Sequence, residues 1–302
     1  MKIIVTGSSG MVGTVLCEKL LEHKIDFLGI DKRVNRWNKE VGRHTMIRDL
    51  TKEFNNSVSV DYEMIVDLAG NASICDLVKK PSLARDNFLM TYNILEFARQ
   101  NNIHKFIFAS SREVYGNSEK ALIKEKDVDL ELCESSYAAT KIAGETLIHA
   151  YANCYNIDFV ILRFSNIYGR YALGSRVIPV FIKKVLTNKS LEIYGDAKTL
   201  DFVYIDDVVD GLLRTINNFG IAKGQAYNIA RGKGYSLREV AKLIISLVPL
   251  SESKIVIGEN RIGEDASFVA DINKARTILG YQSKHSFAEG MKKTISWYGD
   301  KL

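Results

Sequence analysis

The 302-residue chain is short of proline, histidine and clustered cysteine, and each shortage removes a class of protein. With three prolines, no low-complexity tract and no internal repeat, it has no flexible linker and is not a solenoid. The five histidines, His23, His44, His104, His149 and His285, share no ligand spacing with one another or with a cysteine, so no metal site is expected. Cys17, Cys75, Cys133 and Cys154 lie far apart without a CxxC pair and read as reduced, structural thiols. No apolar run reaches membrane-spanning length, and strand-like sequence at 2–5 stands where a signal peptide would need a charged segment and a long apolar one. A cytoplasmic address with no membrane partner is the expectation. The 41 basic and 36 acidic residues are interspersed, giving a net charge of +5. Without a basic run this argues against nucleic acid as a partner and agrees with small anionic ligands.

What the chain does have is 46% hydrophobic residues in a regular rhythm. Apolar runs of strand length at 2–5, 27–30, 64–68, 105–109 and 159–163 alternate with helical patterns at 11–21, 82–101 and 137–155. Their continuous hydrophobicity predicts an α/β fold with a doubly wound parallel sheet covered on both faces. After about residue 165 the rhythm loosens into a helix at 178–186, a strand at 191–194 and shorter elements. We therefore expect a nucleotide-binding Rossmann-type domain over 1–165 and a smaller C-terminal α/β substrate lobe over 166–302, with the segment near 201–230 a candidate to return to the first domain. Ser236 with Glu239, and Ser286 with Glu289, have capping-box spacing and predict two helix starts in the lobe.

Gly7, Gly10 and Gly13 in VTGSSGMVGTVL lie between the first strand and first helix, where the chain must turn tightly, approach a pyrophosphate and pack helix on strand. Free amides at the helix start would face the phosphates. Asp31 ends the second strand, where a carboxylate can bond the ribose hydroxyls and repel a 2′-phosphate. This favours NAD over NADP, although Lys32 and Arg33 follow at once. Ser111 closes the strand in FIFASSREVYG, at the sheet edge where such folds bind ligands. Tyr137 and Lys141 in SSYAATKIAGE are four apart, hence on one helical face, and an ammonium beside a phenol lowers the phenol's pKa towards that of a working base.

Together these motifs resemble the extended short-chain dehydrogenase/reductase family, in its NAD-dependent nucleotide-sugar epimerase and dehydratase branch, over nearly the whole length. The resemblance implies a catalytic Ser111, Tyr137 and Lys141. It places Gly7, Gly10, Met11, Gly13, Asp31, Asp49, Leu50, Ala69, Gly70 and Asn87 along the cofactor, with Tyr137 and Lys141. It makes Asn166 in LRFSNIYGR, Arg176 and Arg261 in NRIGED, with Ser111, contacts of a nucleotide-diphosphate sugar. Leu200 stands in TLDFVYIDD where the family usually has arginine, leaving Arg176 or Arg170 to replace it.

The implied first step removes the proton of a ring hydroxyl, at C4, through Tyr137 as hydride passes to NAD. A 4-epimerase returns the hydride to the other face of the keto sugar. A 4,6-dehydratase or decarboxylase would use Glu113 as a further catalytic carboxylate, although Arg112 stands where many dehydratases carry an acid. A net 4-dehydrogenase or reductase, and a non-catalytic dinucleotide-binding regulator, are the other readings. Of these the 4-epimerase is the expectation. The family also implies a homodimer paired through the helices at 82–101 and 137–155.

Overall fold

The computed structural model describes every residue except 54–60, 119, 173, 175, 195–198, 259–266 and 301–302. Its strands are β1 Lys2–Thr6, β2 Asp26–Asp31, β3 Thr45–Ile47, β4 Met64–Asp67, β5 Lys105–Ser111, β6 Asp158–Phe164, β7 Asn166–Tyr168, β8 Leu191–Ile193, β9 Thr199–Tyr204, β10 Gln225–Ile229, β11 Gly234–Ser236 and β12 Ile255–Ile257. Seven form one sheet in the order β10-β6-β5-β4-β1-β2-β3, and every pairing is parallel. The order reverses beside β1, which opens a crevice at the carboxyl ends of β1 and β4.

The sheet is buried on both sides because its strands are apolar at successive positions. Ile3, Val5, Met64, Val66, Ile107 and Leu162 face one core, while Ile4, Ile65, Phe106, Phe108 and Ile161 face the other. Helices Met11–Glu22 and Ile205–Asn217, which touch each other, contribute to the first core. Helices Ser82–Gln100 and Ser136–Tyr155 cover the second through Ile94, Phe97, Ile148 and Tyr151.

The segment 205–229 belongs spatially with this large sheet, since β10 extends it beyond β6. The rest of the second half builds a three-stranded sheet, β11-β9-β7, and a pair, β12-β8, flanked by helices Val177–Leu186, Leu237–Leu247 and Phe287–Gly299. Both capping boxes form: Ser236 and Ser286 each accept from the backbone amide three residues on, and Glu239 and Glu289 reach back to the cap. Among the described residues no helix is long and apolar enough to cross a membrane.

Candidate active site

The glycine loop runs from β1 into helix Met11–Glu22 under tight steric constraint. Gly7 has φ of 65°, and a Cβ there would sit 2.8 Å from the Leu68 carbonyl oxygen. A Cβ on Gly13 would collide with the Gly7 carbonyl. Gly10 is the helix N-cap and brings no side chain to it, so the opening amides from Met11 onward have no capping partner there. Asn35, which the sequence reading overlooked, braces the turn: its amide donates to Ser8 O at 3.2 Å and Thr14 Oγ1 at 2.9 Å. An isolated asparagine between Val34 and Arg36 carries no signal of this contact.

Asp31 lies beside that loop and is 8% exposed. Its carboxylate accepts from the amides of Ser9 at 3.0 Å and Arg33 at 2.9 Å. Each oxygen keeps a lone pair for a further donor. The backbone of Arg48 joins β3 to Asp31 O, bringing Asp49 and Leu50 to the same edge. Thr51 donates to Asp49 from both amide and hydroxyl, which lowers the Asp49 pKa. Leu50 is buried, and its carbonyl accepts from Asn93 Nδ2 at 2.8 Å.

Beyond β4, Ala69 N donates to Thr6 Oγ1 at 3.0 Å. A Cβ added to Gly70 would lie 3.7 Å from Lys141 Nζ and 3.9 Å from Asn87 Oδ1, so the three residues meet. Asn87 holds the loop by exchanging two hydrogen bonds with the Asn71 backbone, at 2.7 and 3.1 Å. Lys141 crosses from its helix to donate to Ala109 O at 2.7 Å.

Tyr137 is the second residue of helix Ser136–Tyr155, whose N-cap Ser135 accepts from Ala138 N. The phenol is buried and lies near enough to Ser111 for that hydroxyl to act on it, while Ser111 Oγ accepts from Glu113 N at 3.2 Å. Serine, tyrosine and lysine thus converge at the sheet edge. The electrostatics differ from expectation, because burial raises the Tyr137 pKa above its ordinary value. Opposing it are the Ser111 hydroxyl and the charges of Arg176 and Arg112, where the sequence reading gave the task to Lys141. Burial draws Lys141 itself down, opposed by the negative charges of Asp67 and Glu145.

Glu113 pairs with Arg112 at 2.7 Å, and both lie close enough to act on the Tyr137 phenol. Arg176, at the start of helix Val177–Leu186, faces the same group. Asn166 opens β7 and donates to Asp201 O at 3.0 Å. Leu200 is 7% exposed and joins the apolar core, so it brings no cation to a diphosphate. Arg170 is not a free substitute for the usual arginine: it pairs with Asp206 at 2.5 Å and Glu18 at 3.5 Å, tying the lobe to the first helix. Arg261 lies outside the described residues.

This geometry has known counterparts. The model of the NAD dependent epimerase/dehydratase family matches residues 3–230. The chain belongs to that family. It is 32% identical to a putative UDP-glucose 4-epimerase of Methanocaldococcus jannaschii, covering 98% of this chain and 97% of the relative. It is also similar to the structure of MoeE5 in complex with UDP-glucuronic acid and NAD, with a TM-score of 0.87, 26% identity and full coverage of both chains. The fold matches that of UDP-glucose 4-epimerase from Thermotoga maritima with UDP-glucose, at a TM-score of 0.89, 24% identity and full coverage of both.

As a member of the epimerase/dehydratase family the protein is an enzyme with NAD as its cofactor. The residues present suit that group: the glycine turn excludes side chains, uncapped helix amides suit phosphates, and the Asp31 carboxylate retains acceptor capacity for ribose hydroxyls. Two buried acids near Lys141 escaped the sequence reading. Asp67 was hidden as the last residue of an apolar strand. Glu145, a further turn beyond Lys141, binds Arg163 through both carboxylate oxygens at 2.9 and 2.6 Å.

Proposed function

We propose that this enzyme is a nucleotide-sugar 4-epimerase working through a transient 4-keto sugar, with Tyr137 as the acid/base group. The observation that carries this reading is the Arg112–Glu113 pair at 2.7 Å beside the Tyr137 phenol. Dehydration needs a carboxylate at liberty to take the C5 proton, and here that carboxylate is engaged with a guanidinium. Epimerisation makes no demand on it.

In this mechanism Tyr137 Oη takes the C4 hydroxyl proton while the Ser111 hydroxyl holds the same substrate oxygen. NAD, when bound, supplies the hydride acceptor and donor for C4. The keto sugar then turns its other face inward, C4 is reduced from that side, and Tyr137 returns the proton. Arg112 and Arg176 favour the phenolate that the first step requires. Lys141, with Gly7, Gly10, Met11, Gly13, Asp31, Asp49, Leu50, Ala69, Gly70 and Asn87, would hold the cofactor. Asn166, Arg176 and Arg261 would contact the nucleotide diphosphate. A second copy of the chain would pair across helices Ser82–Gln100 and Ser136–Tyr155, which expose Phe88, Tyr92 and Tyr155.

The deciding experiment is Glu113→Gln assayed with nucleotide hexoses in heavy water. Retained 4-epimerisation with a modest rate loss and no deuterium at C5 is expected. Deuterium at C5, together with a loss of about 100-fold to 10,000-fold in the variant, would move the assignment to a dehydratase with Glu113 as base.

A further inference from the structure

The sheet edge carries a buried acid for which the reaction above has no use. Thr6, Asp67 and Phe108 are register partners on β1, β4 and β5, and so point to the face covered by helix Ser136–Tyr155. Asp67 is 1% exposed. Thr6 Oγ1 donates to its Oδ1 at 2.5 Å, while Oδ2, equally buried, has no hydrogen-bond partner. Lys141 descends onto the same place: its ammonium lies 4.7 Å from the centre of the Phe108 ring.

Two anions act on Lys141, Asp67 from β4 and Glu145 from its own helix, and they are not equivalent. Glu145 is already neutralised by Arg163 through both oxygens, and Ser110 Oγ donates to it at 2.5 Å. Asp67 faces a hydroxyl, a backbone amide and one cation, Lys141. Its charge is the one left for the lysine. A buried carboxylate with a bare oxygen is costly, and it persists where a nearby cation offsets the penalty.

We propose that Asp67 is a positioning residue whose carboxylate holds Lys141 as an ammonium at the site where Tyr137 works. The proposal rests on the proposed function, in which Tyr137 is the acid/base group and Lys141, one turn on, serves the same site. Burial pushes Asp67 up to about 6, so the carboxylate is charged at neutral pH, and its charge opposes the downward pull of burial on Lys141.

Two measurements test it. Carboxyl-carbon NMR of the aspartate-labelled protein should show a signal with a midpoint near 6 that is absent from Asp67→Asn and rises by about one pH unit or more in Lys141→Met. In the kcat profile, Asp67→Asn should move the alkaline limb down by about one pH unit with KM little changed. A midpoint indifferent to Lys141→Met would overturn the proposal. So would a rate loss in Asp67→Asn that is uniform across pH, as a merely structural residue would give. Should Asp67→Asn fail to fold, Asp67→Glu identifies the signal, and the Lys141→Met arm still decides. The titration needs no turnover, so it stands or falls separately from the epimerase assignment.

Discussion

Asp67, at the edge of the large sheet, and Asp201, on β9 in the small one, are both buried aspartates that loss of water pushes up to about 6. Asp201 accepts from three backbone amides, those of Arg231 at 3.0 Å, Gly232 at 2.9 Å and Ala270 at 3.3 Å. Asp67 has the Thr6 hydroxyl as donor and the Ala69 amide near it, and an oxygen with no partner. Asp201 joins three chain segments and has a donor on each oxygen; Asp67 faces a lysine and has one bare oxygen. Burial alone therefore does not mark a functional acid, and the count of its donors separates architecture from chemistry.

The largest effect should come from the catalytic edge itself. Tyr137→Phe keeps the ring and deletes the ionisable oxygen, so turnover should fall by about 100-fold to 10,000-fold. NAD should stay bound and the melting temperature nearly unchanged, as checked by steady-state assay, cofactor retention and calorimetry. In the small sheet the balance should reverse. Asp201→Ala strips three backbone amides of their acceptor, of which only that of Ala270 is fully buried, and at about 1–3 kcal/mol for an unsatisfied buried group the unfolding free energy should drop by about 1 kcal/mol or more. Urea unfolding measures this. A loss of turnover per folded molecule without a loss of stability would break the contrast.

A titration compares the two acids directly. Both have folded pKa values raised from 3.8, so the native state binds more protons than the unfolded chain between about pH 4 and pH 6. Their stabilising contribution is fully present below about pH 4 and is lost as pH rises through about 6. Because the two shifts are alike, Asp67→Asn should remove roughly half of this dependence, measured by urea unfolding at a series of pH values. The smallest effect concerns Asp31, an acid at the same edge that receives two amide bonds and keeps lone pairs. Asp31→Ala should narrow the preference for NAD over NADP by about tenfold, or 1.4 kcal/mol, read from cofactor binding.

Much of this molecule is legible in the sequence because the relevant physics is local. A glycine turn between an apolar strand and a helix, a tyrosine and lysine one turn apart, and two capping boxes each depend on neighbours within a few residues. These supplied the parallel sheet, the family and the residues Ser111, Tyr137 and Lys141. The three-residue edge strand β3 carried too little pattern to be seen, and β10 could be suggested but not paired, since its partner β6 lies far earlier in the chain.

What only the tertiary structure decided is the environment of each charge. The identity of Arg170 as a cation was plain, but its commitment to Glu18 and Asp206 depends on the lobe packing against the first helix. The Tyr137 phenol was expected to answer to Lys141 and answers instead to burial, Ser111, Arg176 and Arg112. Asp67 looked like the end of a strand until folding set it opposite Lys141. Desolvation and Coulomb interaction depend on distance and on the exclusion of water, and chain separation fixes neither. Sequence determined which groups are present, and packing decided which of them remain unpaired.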